Sequence, residues 1–496
     1  MGGKIYGNFI NGNEEFNGNK IEMISPSDGS LSGYIIEANR NVVNNAVDSA
    51  EDAFKKFSSS TIRERQKLLA RLTEIVESKA EMYSMMESIN TGKTIRQSTY
   101  MDIPLGIEHI RYFSTTNEFK FQREIEHPEY PDTHGMVQYA PMGVVASIAP
   151  WNVPFLMAVW KIVPALLAGN SVVLKPSHYT PLTAMELAKD IKKAGFPDGL
   201  VNVINGKGNS TGEYLMENNK INMVSFTGST NTGKHVMEKV SKNIKKTTLE
   251  LGGKSPNIVM DDADLDRAAK GVVFGIYLNS GQLCESGSRL LVQESIHKQL
   301  LETIKKYIQN MKAGNPMDFE TDISAITNEP QLNKIKDLTD ESINSGAHVY
   351  YSKDMGKDVP HGGFYYSPTL LTDVKPDMKI FDEEIFGPVL SVSTFNDERE
   401  AIDIANSSKY GLAAGIWTRN IDKATRMAGR IEAGTVWINE YHLLSAAAPR
   451  GGFKMSGIGR ELGLDGIMEY TQTRHLFYGN PESGLSDVAY QLLIKE

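Results

Sequence analysis

The 496 residues contain one cysteine, Cys284, at the end of the run Gly281-Gln282-Leu283-Cys284. Nearby glycines leave the thiol room to be reached. With a lowered pKa and donors placed for an oxyanion, such a thiol is a nucleophile. Without them a lone cysteine is a small buried hydrophobe, and both readings stand at this point. Glu250-Leu251-Gly252-Gly253-Lys254 follows a strand-like run. A carboxylate there can act as a general base once burial raises its pKa towards neutrality, although an isolated glutamate in such a loop is more often a solvated charge. Asn152, between Trp151 and Val153 in a proline-rich turn, is a candidate side-chain donor to an oxyanion. Met223-Val224-Ser225-Phe226 reads as a strand, and Thr227-Gly228-Ser229 through Gly233 as the turn into a helix. A glycine at that junction lets backbone approach a pyrophosphate, and the helix start supplies free N–H groups. Gly228 and Gly233 relieve a tight turn equally well. Gly206-Lys207-Gly208 reads as an ordinary loop.

These residues need elements to hold them. From about residue 40 to about residue 450 the pattern alternates helices with short apolar strands. Val47, Ala50, Ala53, Phe54 and Phe57 fall at helical spacing. Thr61 and Glu64 have capping-box spacing before a helix with Leu68, Leu69, Leu72, Ile75 and Val76 on one face. Strand-length apolar runs follow at 143–149, 171–174, 200–204, 223–226 and 257–260, with Gly169-Asn170 ending a helix before the second. Strands separated by helices in this way predict right-handed βαβ units and a parallel sheet. Residues 119–139 break the rhythm: they are polar, hold Pro128 and Pro131, and suit extended strands outside the main sheet. The tail around 474–478 has the same character, so the two segments are candidates to pair as a small third unit.

Composition narrows the function classes. Hydrophobic residues at 40% and charged residues at 23% describe an ordinary globular protein, long enough for two or three domains. A formal charge of −9, without a Lys/Arg block, disfavours nucleic acid as a partner. Residues 135–160 carry no formal charge and are long enough to cross a bilayer. Pro141, Pro150, Asn152 and Pro154 interrupt them, and a strand, a turn and a new helix is the better reading. No membrane association is therefore expected, and a cytoplasmic location is the default. One cysteine forbids an intramolecular disulfide and starves any cysteine-based zinc site, and the ten histidines lack metal-type pairing, so no metal is expected.

Taken together the motifs are specific. In order they are Ala149-Pro150-Trp151-Asn152-Val153-Pro154, Leu174-Lys175-Pro176-Ser177, Phe226-Thr227-Gly228-Ser229, Glu250-Leu251-Gly252-Gly253-Lys254, and Gly281-Gln282-Leu283-Cys284. Glu383-Glu384-Ile385-Phe386-Gly387-Pro388 and Gly451-Gly452-Phe453-Lys454-Met455-Ser456-Gly457 complete the series. This order and spacing resembles the aldehyde dehydrogenase superfamily over nearly the whole chain. The resemblance implies an α/β fold, with a doubly wound Rossmann-like cofactor domain (1–118 and 141–252), an α/β catalytic domain (253–455) and oligomerisation strands (119–140 and 471–482). It implies oxidation of an aldehyde to its acid with NADP or NAD, in a homodimer or homotetramer. Cys284 matches the family nucleophile, Glu250 the base for the deacylating water, and Asn152 the oxyanion-hole amide. Lys161 and Glu461 match a proton route behind Glu250. Lys175 and Glu384 match the residues that hold the cofactor's riboses, Phe386 the nicotinamide side, and Gly228 and Ser229 the pyrophosphate turn. Trp151, Ser177, His178 and Leu251 join them as cofactor contacts. Val153, Met157, Trp160, Leu283, Glu285, Leu444 and Arg450 match the substrate tunnel.

Two positions depart from the commonest pattern. His178 stands where NAD-preferring members usually carry Glu, which puts strict NAD preference in doubt. Arg450 stands where many carry Phe. A tunnel guanidinium favours aldehydes with an anionic or hydroxylated far end, unless it turns outward or pairs with Glu285 or Glu440. Apolar or aromatic aldehydes are the alternative substrates. A CoA-acylating semialdehyde dehydrogenase is the alternative reaction, and the presence of Glu250 argues against it. A structural, crystallin-like role on the same scaffold need not retain both Cys284 and Glu250.

Overall fold

The computed structural model describes residues 3–482 and 490–494. Among the described residues, two large sheets and three small ones make up the fold. The first large sheet has eight strands, and its five central ones are parallel. From Val144–Ile148 the chain moves outward to Ser171–Lys175 and Val201–Val203. It then returns to the other side of the first strand for Met223–Thr227 and Lys246–Glu250. Strand order therefore reverses between Val144–Ile148 and Met223–Thr227, and a crevice opens beyond their carboxyl ends, where residues 149–152 and 228–229 follow. Short antiparallel strands close both edges: Asn8–Ile10 with Asn13–Glu15 on one side, and Gly457–Ile458 against Leu249 and Glu250 on the other.

Alternation along each strand explains why helices cover both faces. Val145, Val172 and Leu174 pack under helices Pro154–Ala168 and Leu182–Lys193. Val144, Ala146 and Val173 pack under Arg40–Phe57 and Thr230–Ser241. The Thr61/Glu64 capping box forms at the start of helix Ile62–Glu77. Gly169 ends Pro154–Ala168 at φ 94°, a left-handed position that glycine adopts without strain. Every residue of Pro154–Ala168 is buried, Lys161 included, so that one cation needs a partner inside the protein. The charge-free stretch resolves into strand His134–Pro141, strand Val144–Ile148 and the start of this helix. Among the described residues no helix is long and apolar enough to cross a membrane.

The second large sheet has seven strands, parallel except for the edge strand His348–Ser352. Pro256–Val259 sits within it, flanked by Arg289–Gln293 and Ala413–Trp417. Thr471–Tyr478 pairs with His134–Pro141, which pairs with Gln122–Ile125, so the two peripheral segments do form one antiparallel unit. A further small sheet of Ile5–Tyr6, Leu31–Glu37 and Asn19–Ile24 was not anticipated. Its signal is the alternation around Ile21 and Met23 before Asp28-Gly29, a turn pair.

Candidate active site

A cavity of about 150 Å³ lies beyond the switch point of the first sheet and reaches the second. Cys284, Glu250 and Asn152 all line it. The loop that carries Cys284 is unusual: after helix Leu265–Tyr277, residues Asn279, Ser280 and Gly281 have φ of 50°, 50° and 73°. Consecutive left-handed residues persist only where the surroundings fix them. Ser280 Oγ donates to the Ser324 carbonyl, and Gln282 Nε2 donates to the carbonyls of Asn279 and Ala325. Asn152 Nδ2 donates to the Gln282 carbonyl at 2.8 Å, which ties its turn to the cysteine loop. Neither the second Asn152 amide hydrogen nor the Cys284 N–H has an acceptor among the described residues.

Glu250 ends strand Lys246–Glu250, and its Oε1 is buried without a hydrogen-bond partner. Burial pushes its pKa well above the carboxylate range, and the Glu461 charge adds to that, while Arg450 and Lys161 oppose it. Lys161 finds its partner here: its Nζ lies 2.6 Å from Glu461 Oε1 and donates to Ser225 Oγ at 3.0 Å. Lys161 itself lies behind the cavity wall, whereas Glu461 reaches it.

One side of the cavity has the features of a dinucleotide site. Gly228 and Ser229 line it, and Ser229 caps helix Thr230–Ser241 by accepting the Thr232 N–H. Leu251, Trp151, Glu384 and Phe386 line it as well. Glu384 accepts the Gly253 N–H at 3.1 Å, and Trp151 meets Phe386 edge to face at 5.2 Å. Phe386 is held at φ 53°. Lys175, Ser177 and His178 do not line this cavity. They form a cluster next to Lys207 and Glu37, two residues the sequence reading left unassigned. Burial lowers Lys175 to about 8, and among the described residues its Nζ finds only the Pro176 carbonyl at 3.3 Å. Burial, with Lys175 and Lys207 nearby, lowers His178 to about 4, and its ring packs on Tyr179.

On the other side Val153, Met157, Trp160, Leu283, Glu285, Leu444 and Arg450 all face the same space. The Arg450 guanidinium sits 5.4 Å from the Trp160 ring, and its Nη2 donates to Glu285 Oε2 at 2.7 Å. Pairing with Glu285 is one of the alternatives open for Arg450, and the same nitrogen lies 3.4 Å from Cys284 Sγ, so the guanidinium stands at the thiol. Gln97, Met101, Asp102 and Leu105 also line the cavity, and Asp102 is ion-paired to buried Lys93. No motif announced them. Beyond them opens a wider funnel with Tyr100, Phe274, Tyr307 and Leu443 on its walls. Among the described residues no group of three or more His, Cys, Asp or Glu is placed to hold a metal ion.

The chain is similar to known proteins over nearly its whole length. The profile of the Aldehyde dehydrogenase family fits residues 13–476. An aldehyde dehydrogenase of Emericella nidulans is 41% identical, over 96% of this chain and 94% of its own. The betaine aldehyde dehydrogenase of Bacillus subtilis is 39% identical, over 92% and 93%. The crystal structure of the Staphylococcus aureus betaine aldehyde dehydrogenase in complex with NAD+ superposes with a TM-score of 0.94 at 35% identity, covering 97% of this chain and 96% of that one. The chain belongs to the aldehyde dehydrogenase family. It is an NAD(P)-dependent oxidoreductase that converts an aldehyde to the carboxylic acid.

Proposed function

We propose that Cys284 is the nucleophile of this oxidation and Glu250 the base that completes it. The observation that carries this reading is the convergence of thiol, buried carboxylate and dinucleotide-type crevice on one cavity. Cys284 Sγ attacks the aldehyde carbon, and the oxyanion is held by the Asn152 amide and the Cys284 N–H, donors with hydrogens to spare. The site fits a dinucleotide on its own chemistry: a helix start with a glycine turn, a buried lysine short of partners, and a carboxylate fixed at Gly253. When bound, the nicotinamide cofactor supplies the hydride acceptor that turns the thiohemiacetal into a thioester. Glu250, short of a partner for Oε1, takes a proton from the water that cleaves the thioester. The Glu461 carboxylate, held by the Lys161 ammonium, receives that proton behind it. Trp151, Leu251, Gly228, Ser229, Glu384 and Phe386 hold the nicotinamide half and the pyrophosphate, and Lys175, Ser177 and His178 the adenosine end.

We assign 1–118 with 141–252 to cofactor binding, 253–455 to the domain that carries the cysteine, and 119–140 with 471–482 to the joining of protomers, a division that the two large sheets and the peripheral antiparallel sheet support. Phe477 and Tyr478, half exposed on an edge strand, support a homodimer or homotetramer. A cytoplasmic location is the default for a chain in which no membrane association is expected. For the substrate, the Arg450 guanidinium uses one nitrogen on Glu285, and neither its Nε nor its Nη1 has a protein acceptor among the described residues. Those donors suit a small aldehyde with an oxygen close to the carbonyl carbon. The aromatic funnel walls favour a second reading, an aromatic or apolar aldehyde. The covalent step is tested by mass spectrometry of Glu250→Gln after aldehyde and NAD(P)+: the acyl mass is expected on Cys284. An unmodified Cys284 with undiminished product formation refutes the assignment.

A further inference from the structure

Cys284 Sγ touches two oppositely charged side chains. Its S–H donates to Glu285 Oε2 at 3.0 Å, that same oxygen accepts from Arg450 Nη2 at 2.7 Å, and Nη2 lies 3.4 Å from the sulfur. Sulfur, oxygen and nitrogen thus form a triangle, and both charged side chains are buried. We propose that Glu285 and Arg450 set the ionisation of Cys284 in opposite senses, Glu285 keeping the proton on sulfur at rest and Arg450 stabilising the thiolate once that proton moves to the Glu285 carboxylate. The inference rests on Cys284 being the nucleophile.

The transfer is balanced within the triangle. One proton crosses the S–H···O contact, so thiol and carboxylate become thiolate and carboxylic acid. The negative charge passes from Oε2 to Sγ, and the guanidinium is in contact with it before and after. Burial and Glu285 hold the thiol pKa well above its ordinary value, and Arg450 opposes them. Burial disfavours the Glu285 charge, yet Arg450 and then His442 hold that carboxyl well below the usual range. The resting state is therefore thiol plus carboxylate. Other titratable groups face the triangle from each neighbouring element. His442 Nδ1 is 3.4 Å from Glu285 Oε1, while its Nε2 bonds the Gly275 carbonyl. Tyr441 donates to the Glu285 carbonyl at 2.9 Å. Glu250 faces Arg450, and His109, bonded to Trp160, lies close enough to feel the Arg450 charge. A thiol held in this form is shielded from stray electrophiles, because the thiolate is the reactive species.

The test is the rate of Cys284 alkylation by iodoacetamide in the full-length protein, followed across the neutral and alkaline range. Glu285→Gln removes the opposing anion and leaves Arg450 to the sulfur. It is expected to react at least about tenfold faster near neutrality, with its profile displaced to lower pH by one pKa unit or about that. Arg450→Gln leaves the anion unbalanced and is expected to react at least about tenfold slower, with its profile displaced to higher pH. Arg450→Lys restores the cation and should fall between wild type and Arg450→Gln. Displacement of both Gln variants in the same direction, as loss of the fold would give, or no displacement of either, overturns the proposal. Alkylated Cys284 with undiminished aldehyde oxidation would instead refute the nucleophile assignment, an outcome read separately from the pH profiles.

Discussion

Lys161 and Glu461, 300 residues apart in sequence, form a buried ion pair at 2.6 Å beside Glu250. The lysine sits in a helix whose residues are all buried, and removal of its partner leaves a cation without compensation. Breaking such a pair from one side costs roughly 3–5 kcal/mol, whereas replacing both members by well-packed neutral residues costs far less. Glu461→Leu should therefore lower unfolding free energy in urea by about that amount, and the double variant Lys161→Met/Glu461→Leu should recover most of it. A single variant as stable as wild type would show that the pair is not buried in solution.

The same pair is expected to shift the pH dependence of turnover. Glu250 accepts a proton only when ionised, and burial followed by the Glu461 charge raises its pKa. Steady-state rate should consequently rise with pH through that elevated value. Glu461→Gln removes the like charge, so the Glu250 pKa falls and the rise moves to lower pH. A kcat profile that moves the other way, or stays in place, contradicts the coupling.

The proposed place of His178 at the adenosine end makes a prediction about cofactor choice. Lowered to about 4, it is neutral near pH 7, and it stands near two lysines, Lys175 and Lys207. A 2′-phosphate meets no anion at position 178 itself, and a neutral imidazole can donate to it. NADP+ should be used at least comparably to NAD+, and His178→Glu should move the kcat/KM ratio towards NAD+ by at least about tenfold through like-charge repulsion. Strong NAD+ selectivity in the wild type would end this reading.

If Arg450 reads the substrate as proposed, its replacement should change substrate preference. Comparing kcat/KM for glycolaldehyde and benzaldehyde before and after Arg450→Phe cancels any effect on the thiol common to both. A hydrogen bond to a charged donor is worth about 1.5–3 kcal/mol, or roughly 10- to 100-fold in relative specificity. A ratio that moves by less than about threefold assigns the substrate to the aromatic class that the funnel favours.

The strands and turns that build the crevice were readable because each carries its own local signal: apolar runs of strand length, a glycine at the junction, Thr61 three residues before Glu64. Cys284 stood out because the chain has no other cysteine. The charge network could not be read the same way. Arg450 reaches Glu285 across 165 residues and Lys161 reaches Glu461 across 300, and no local pattern encodes either meeting. Gln97, Met101, Asp102 and Leu105 look like any other helical residues until helix packing turns them to the cavity. Lys207 read as a plain loop residue because its importance comes from the neighbours that folding gives it.

Strand Lys246–Glu250 is bordered on one side by Met223–Thr227, made just before it, and on the other by Gly457–Ile458, about 200 residues later. At roughly 5–20 residues per second, a ribosome needs about 10–40 s to deliver that last neighbour. For this interval the nascent chain presents an unpaired strand edge that ends in the carboxylate at position 250, and unpaired edges recruit foreign strands. Assembly of the catalytic centre is thus a late event of synthesis, and dependence on holdase chaperones should be greatest in the window between the emergence of the two strands.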